Sequence, residues 1–312
     1  MKRQLKNESG FALILTLVVT ALMVAVVVEM IHQVYVDTSI SRGFRDGQQA
    51  SILAESGASG GAKLLQIGVS GRSYTSLSDR WATPLKLVDD AGTLEISVSE
   101  ESGKININGL VRQNGDFETH TFEALQRLAA RLKVPNEVWG AVADWIDGDD
   151  LPRSGGAESS YYRSLKPEYT SRNGKVMTLS ELSLIRGVSP EILDKLRPYL
   201  TPFAEQANAP LPTVNINTAS KDVLAALDKG IDDRMAERIL EERRLQPFKS
   251  IGELSRVPGL DTIATGLGGW ITVKGNVFRI VSVAKVGDSG RTVEAVVRLS
   301  GGIPEFLSWQ EY

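Results

Sequence analysis

The chain has 312 residues, 42% of them hydrophobic and 23% charged, which is enough for two folded units or one elaborated one. Its formal net charge of −3 offers no broad positive field to hold a polyanion, so nucleic acid is disfavoured as a ligand. There are no cysteines, which excludes disulfides, thiolate metal sites and cysteine nucleophiles.

Lys2, Arg3 and Lys6 precede an uncharged run from Phe11 to Val28. As a helix this run is about 27 Å long, close to the ~30 Å hydrocarbon core of a bilayer. The basic leader holds the N-terminus in the cytoplasm and sends the remainder across. A secretory signal would have a shorter apolar core and an Ala-x-Ala-like cleavage site, whereas Val28 runs on into Glu29-Met30-Ile31-His32. On hydropathy alone the segment is a plain single-pass anchor.

Ala50, Leu53, Ala54, Gly57, Ala58, Gly61 and Leu64 then recur at intervals of three and four, a narrow helical stripe of mostly small residues. It suits docking on the chain's own globular part, close approach of neighbouring helices, or both. Residues 68–91 are rich in Ser, Gly and Asp and read as loop. Leu94, Ile96 and Val98 alternate with polar residues, and Ile105 and Ile107 resume the alternation after Glu101-Ser102-Gly103, the pattern of a β-hairpin. A second hairpin is expected from Val277 through Gly287-Asp288-Ser289-Gly290 to Leu299. The sequence between them is helical and loop-like. The expected fold class is therefore α+β, with a large all-α domain inserted between the hairpins of a small antiparallel sheet, since neither hairpin is stable alone in water.

Two site candidates lie in that insertion. The first is the acidic loop Asp147-Gly148-Asp149-Asp150 with Glu158 beyond it. Counting Asp147 as the first position of a calcium-binding EF-hand loop puts Asp149 at the third and Glu158 at the twelfth, all suitable ligands. Leu151 and Pro152 fall where an acidic residue and the required Gly belong, so this is not an EF-hand. The loop is either a solvated helix end or a cation site, and an all-oxygen set suits Ca²⁺ rather than Zn²⁺. The second candidate is a motif occurring three times, at Leu184–Ser189, Leu227–Asp232 and Arg256–Asp261, which resembles the helix-hairpin-helix modules of DNA-binding proteins. Such modules use Gly-hydrophobic-Gly to bring backbone N–H groups to a phosphate, but here the second Gly is Ser189, Asp232 and Asp261. Residues 213–262 carry eight Lys+Arg against nine Asp+Glu, so packing of short helices is the favoured reading over DNA contact. Catalysis has little support: His32 and His120 lack metal-ligand spacing, and no glycine-rich phosphate loop occurs. The protein is not expected to be an enzyme.

The short basic leader, the Gly10-Phe11 junction and an apolar helix that continues into an amphipathic one resemble the class III signal of type IV pilins and pseudopilins. The resemblance implies that prepilin peptidase cuts after Gly10 and methylates Phe11, leaving the helix first as an anchor and later as filament core. The family pattern has Glu at the fifth mature position, where it pairs with a neighbour's terminal amine; here Leu15 stands there. A carboxylate buried without its partner is costly, and within the family its loss is associated with the tip subunit. Together with Glu101–Asn108, the Asp-Trp-Ile-Asp loop ending in Gly156-Ala157-Glu158, Leu179-Ser180-Glu181-Leu182, Arg197-Pro198-Tyr199-Leu200 and Val214–Thr218, the series is similar to the K-type minor pseudopilins of type II secretion systems.

That resemblance implies a minor pseudopilin at the tip of a periplasmic pseudopilus, held in the inner membrane before assembly, which initiates assembly and supports export of folded proteins. The implied partners are the I- and J-type minor pseudopilins, the major pseudopilin, the inner-membrane assembly platform and prepilin peptidase, and the implied cofactor is structural Ca²⁺, carried onto Asp147, Asp149, Asp150 and Glu158. The implied organisation is a leader over 1–10, an N-terminal helix over 11–67 with 11–31 in the membrane, and the first part of an αβ domain over 68–114. An inserted helical domain follows over 115–269, with subregions 115–205 and 213–262, and completing strands over 270–312. The alternative from another class is a membrane-anchored helix-hairpin-helix DNA receptor.

Overall fold

In the computed structural model, which describes residues 8–90, 92–205 and 213–312, the apolar run and the stripe after it form one unbroken helix, α1 (Glu8–Val69). Lys2, Arg3 and Lys6, with most of the expected leader, lie outside the described residues. No proline interrupts α1. Its most apolar eighteen-residue window is not covered by any other part of the protein, so α1 is a single-pass anchor by length and composition. Within that window the Thr16 and Thr20 hydroxyls donate to the carbonyls of Ala12 and Thr16, which satisfies both groups inside the helix as a lipid environment demands.

The strands are β1 (Leu85–Asp89), β2 (Gly92–Glu100), the two-residue strands β3 (Ile105–Asn106), β4 (Leu200–Thr201), β5 (Val214–Asn215) and β6 (Ile271–Thr272), and then β7 (Val277–Val286), β8 (Ser289–Arg298) and β9 (Glu305–Glu311). β1, β2, β7, β8 and β9 pair in that order into one antiparallel sheet. The C-terminal part of α1 packs across it, burying Ala54, Ala58, Ala62, Leu65 and Val69 against Leu94, Ile96, Phe278, Ile280, Ala295 and Val297. Gly57 sets the closest approach: a Cβ there would overlap Ser282 Oγ and lie 2.8 Å from Leu94 Cδ1. The stripe therefore docks on the chain's own sheet. Leu64 departs from it, being 59% exposed beside Ile67, Trp81 and Leu85 in an apolar groove, while Ala62 and Leu65 take the buried positions.

β2 and β7 are neighbours in the sheet although the helical unit lies between them in sequence. That unit contains α2 (Thr119–Leu132), α3 (Val138–Ile146), α4 (Ser159–Arg163), α5 (Pro190–Leu196), α6 (Lys221–Leu227), α7 (Asp233–Leu245) and α8 (Leu260–Leu267). Its core is separate from that of the sheet and includes Trp139, Phe248, Leu125, Leu128, Leu182 and Ile216.

The first hairpin differs from the expected one. β2 turns back on β1, inside the stretch 68–91 expected to be loop, and not on residues 105–107. β3 instead lies parallel to β4, and Ile105, Ile107 and Leu110 are buried in the helical core. Period-two alternation identifies extended chain but carries no information about its partner, and Gly103, pressed against Thr218, redirects the chain from one core to the other.

Candidate metal centre

Every residue of α3 is buried, and the helix stops at Asp147, whose extended backbone caps its C-terminus. The loop that follows returns to α4 past two glycines in confined places, Gly140 on α3 and Gly156 in the loop itself. Gly140 lies so close to Ser154 that a Cβ would be 2.5 Å from its carbonyl oxygen, and a Cβ on Gly156 would overlap Asp144 Oδ2. The loop is thereby pressed onto α3, and ligand-type oxygens of Asp147, Asp149 and Glu158 gather within 4.8 Å of one another. Asp147 and Glu158 are buried and Asp149 is exposed, so the cluster opens to solvent on one side. Asp150, expected in the same set, is exposed and lies outside this group of three; it adds only its charge nearby.

The electrostatics are those of a site short of positive charge. Both Glu158 oxygens are buried without a hydrogen-bond partner, and so is Asp147 Oδ1. Burial, followed by the charges of Asp144, Asp147, Asp150 and Asp149, pushes the Glu158 carboxyl up to about 7. Burial also raises Asp147, although Arg153 opposes the shift. The Arg153 guanidinium donates to Asp144 Oδ1 at 2.6 Å and bonds to Asp147 Oδ2 and the Gly115 carbonyl, while its backbone N–H donates to Asp144 Oδ2 at 3.1 Å. Asp147 is thus held by one oxygen and keeps the other without a partner. Buried carboxylate oxygens without donors, in a group whose ligand-type oxygens lie within 4.8 Å of one another, are costly unless a cation joins them, so the residues fit a hard, oxygen-seeking divalent ion. Trp145 stands behind the loop, its indole N–H donating to Glu181 at 3.1 Å and its ring edge-on to Tyr162.

Arg153, Asp144 and Gly156 were not nominated from sequence. A lone arginine inside an acidic loop is one signal for the first, and the i, i+3 spacing of Asp144 and Asp147 on one helix face is a signal for the second.

The three repeated motifs are turns leading into helices. Gly187 and Gly259 adopt left-handed backbone, φ 81° and 86°, and Gly230 does not. The positions where a phosphate would sit are taken by the chain's own caps: Ser189 Oγ accepts from the Ile192 N–H, and Asp232 Oδ1 from the Met235 N–H at 2.7 Å. Basic residues nearby are engaged as well, Arg131 with Asp222 and Asp233, and Lys221 with Glu237. The DNA-receptor alternative gains no support from this geometry. His32 is exposed on α1, and His120 on α2 packs beside Trp270.

On α1, Gly10 and Phe11 lie in consecutive helical positions near its start. Leu15, one turn further on, is 52% exposed.

Two family models, both described as type II secretion system protein K, match residues 103–204 and 214–274. The type II secretion system protein K of Pseudomonas aeruginosa is 33% identical over 221 residues, covering 68% of this chain and 63% of that protein. The protein K of Aeromonas hydrophila is 27% identical, with 93% of each chain covered. Among solved structures, a chain of the GspK-GspI-GspJ complex from the enterotoxigenic Escherichia coli type 2 secretion system superposes with a TM-score of 0.72, covering 87% of this chain and 99% of that one at 19% identity.

Proposed function

The chain belongs to the protein K family of the type II secretion system, the minor pseudopilins, and we propose that it stands at the tip of a periplasmic pseudopilus, where it initiates assembly and supports export of folded proteins. The observation that carries the reading is α1. It is one uninterrupted helix, bare and apolar at its membrane end and packed through small residues on the sheet at the other. A rod of this kind passes from lipid into a bundle of like helices without refolding. Leu15 supports the tip position, because a subunit with no further subunit above it gains nothing from a carboxylate reaching for a neighbour's amine.

In this reading the basic leader stays in the cytoplasm and the sheet and helical unit face the periplasm. Prepilin peptidase cuts between Gly10 and Phe11 and methylates Phe11. The neighbours are the I- and J-type minor pseudopilins, by analogy with the solved complex that includes GspI and GspJ; the major pseudopilin and the inner-membrane assembly platform complete the set. The ion held by Asp147, Asp149 and Glu158 is calcium, with Arg153 fixing Asp147 as a one-oxygen ligand. When bound, it supplies the positive charge that the orphaned oxygens lack and fixes the loop between α3 and α4.

Mass spectrometry of the protein purified from membranes tests the reading. An N-terminal N-methyl-Phe11 is the expected result, together with co-purification of I- and J-type subunits. An intact Met1 on the membrane-inserted protein overturns it.

A further inference from the structure

The two units are joined where five segments cross, and two carboxylates lie at that crossing, Glu100 buried and Glu205 half-buried. Glu100 ends β2, and Glu205 follows β4. Glu100 Oε1 accepts from Asn215 Nδ2 at 2.6 Å and from Thr218 Oγ1 at 3.0 Å. Asn215 Nδ2 also donates to Thr75 Oγ1, on the loop after α1. Glu205 bonds to Ser102 Oγ and accepts from the Asn276 N–H, on the segment that returns to β7. Gly275 closes the site, since a Cβ there would overlap Glu100 Oε1 and stand 2.5 Å from Ser102 Oγ. Backbone bonds follow the same crossing: Thr75 N–H to Val273, Glu101 N–H to Val277 and Asn215 N–H to Ser102.

The second Glu100 oxygen, Oε2, is buried with no partner, on a side chain only 6% exposed. An ionised carboxylate in that position is poorly stabilised, and a protonated one is not. The charges around the pair do little to rescue it. Asp79 faces Glu100 and adds like charge, and Arg72 is engaged with Asp79. Glu100 itself opposes ionisation of Glu205, and Arg298 is a favourable charge facing that group. Glu101 shows the contrast one residue away: burial opposes its ionisation too, yet Lys104 and Arg279 hold its carboxyl below the usual range. The donors around Glu100 and Glu205 are neutral N–H and O–H groups, which suit carboxyl oxygens and not a metal ion.

We propose that Glu100 and Glu205 form a proton-controlled latch between the sheet and the helical unit, closed while the pair retains its protons and loosened when they are lost.

Burial, the larger cause in both, pushes Glu100 up to about 7 and Glu205 up to about 8, from an ordinary value of 4.5. Folded-state values raised in this way give a stabilisation that is complete below about pH 4.5 and lost as pH rises through about 7 and 8. The latch is therefore tightest in acid and weakest in mild alkali.

Hydrogen exchange on the full chain in detergent micelles, at about pH 6 and about pH 8.5 with intrinsic rates corrected, reads the latch directly. Protection of the Thr75, Glu101, Asn215 and Asn276 amides is expected to fall by at least roughly tenfold between the two conditions, while the amides of α2 and α3 hold theirs. The Glu100→Gln/Glu205→Gln variant keeps its protection at both. Equal protection in the wild type at the two pH values overturns the proposal, and so does a variant that loses protection as the wild type does. If the double variant fails to fold, Glu205→Gln alone serves, with about a third of the wild-type fall, on a logarithmic scale, expected and an unchanged fall as the refuting result.

Discussion

Gly57→Val lowers the melting temperature of the sheet unit by about 2–10 °C, whereas Gly60→Ala, three residues further along the same helix, leaves it unchanged or raises it. The two glycines differ only in the face they occupy. At Gly60 an added Cβ meets nothing within 4 Å, so alanine contributes its better helix propensity, up to about 1 kcal/mol. At Gly57 the first added carbon already overlaps Ser282 Oγ and presses on Leu94, and the branches of valine would enter β2 and β7. Those strands cannot recede, because each is held on both sides, β2 by β1 and β7, and β7 by β2 and β8. Helix α1 must lift instead, uncovering Ala54, Ala58 and Ala62 together. Overpacking of this kind costs about 1–3 kcal/mol, and the loss falls on a core that shares no residues with the helical unit. The measurement is calorimetry or exchange on the full chain in detergent. The helical unit should hold its own transition, and equal shifts for the two substitutions would contradict the packing described here.

What the sequence made legible follows from what periodicity can carry. An uncharged run of eighteen residues states its own solvent, and a stripe of small residues states a close contact, so α1 and its docking face were readable, apart from Leu64. The partner of a strand is a long-range fact. Ile105 and Ile107 continue the alternation of β2, and only the three-dimensional arrangement assigns them to the helical core. That Asp147, Asp149 and Glu158 come together was legible in their residue types and their spacing. Asp150 was included for the same reason and lies outside the cluster, because composition cannot tell which of two adjacent exposed aspartates comes near Asp147 and Glu158. Arg153 and Gly156 escaped because a counter-charge and a steric cradle have no spacing rule. Glu100 and Glu205 escaped more completely, since a glutamate in a sequence suggests surface and nothing local marks one that is buried, as Glu100 is, or half-buried, as Glu205 is.

Replacing Glu158 by Gln removes most of the response to calcium without destabilising the calcium-free protein. In excess chelator the variant melts at or above the wild-type temperature, and in excess calcium the wild type gains stability while the variant gains little. The first half follows from charge. Glu158 has two buried oxygens with no donor and lies among Asp144, Asp147, Asp149 and Asp150. A neutral amide of the same shape removes the like-charge repulsion, and its NH₂ group offers a donor to the orphaned Asp147 Oδ1. The second half follows from ligation. An ion that binds the folded loop and not the unfolded chain stabilises by about 2.7 kcal/mol at a hundred times its dissociation constant. Most of that gain requires an anionic ligand at the loop's last position. Asp150→Asn is the matched control: it removes the same charge from an exposed residue outside the cluster and should leave most of the calcium gain in place. Trp145, with its indole N–H held by Glu181 behind the loop, gives a fluorescence signal that reports the ion independently of melting. A wild type that melts identically in calcium and in chelator would show that no such ion is held. If Glu158→Gln keeps the full gain, the ion lies elsewhere. The opposed signs are what make the variant diagnostic, because a substitution that merely damaged the fold would lower both curves.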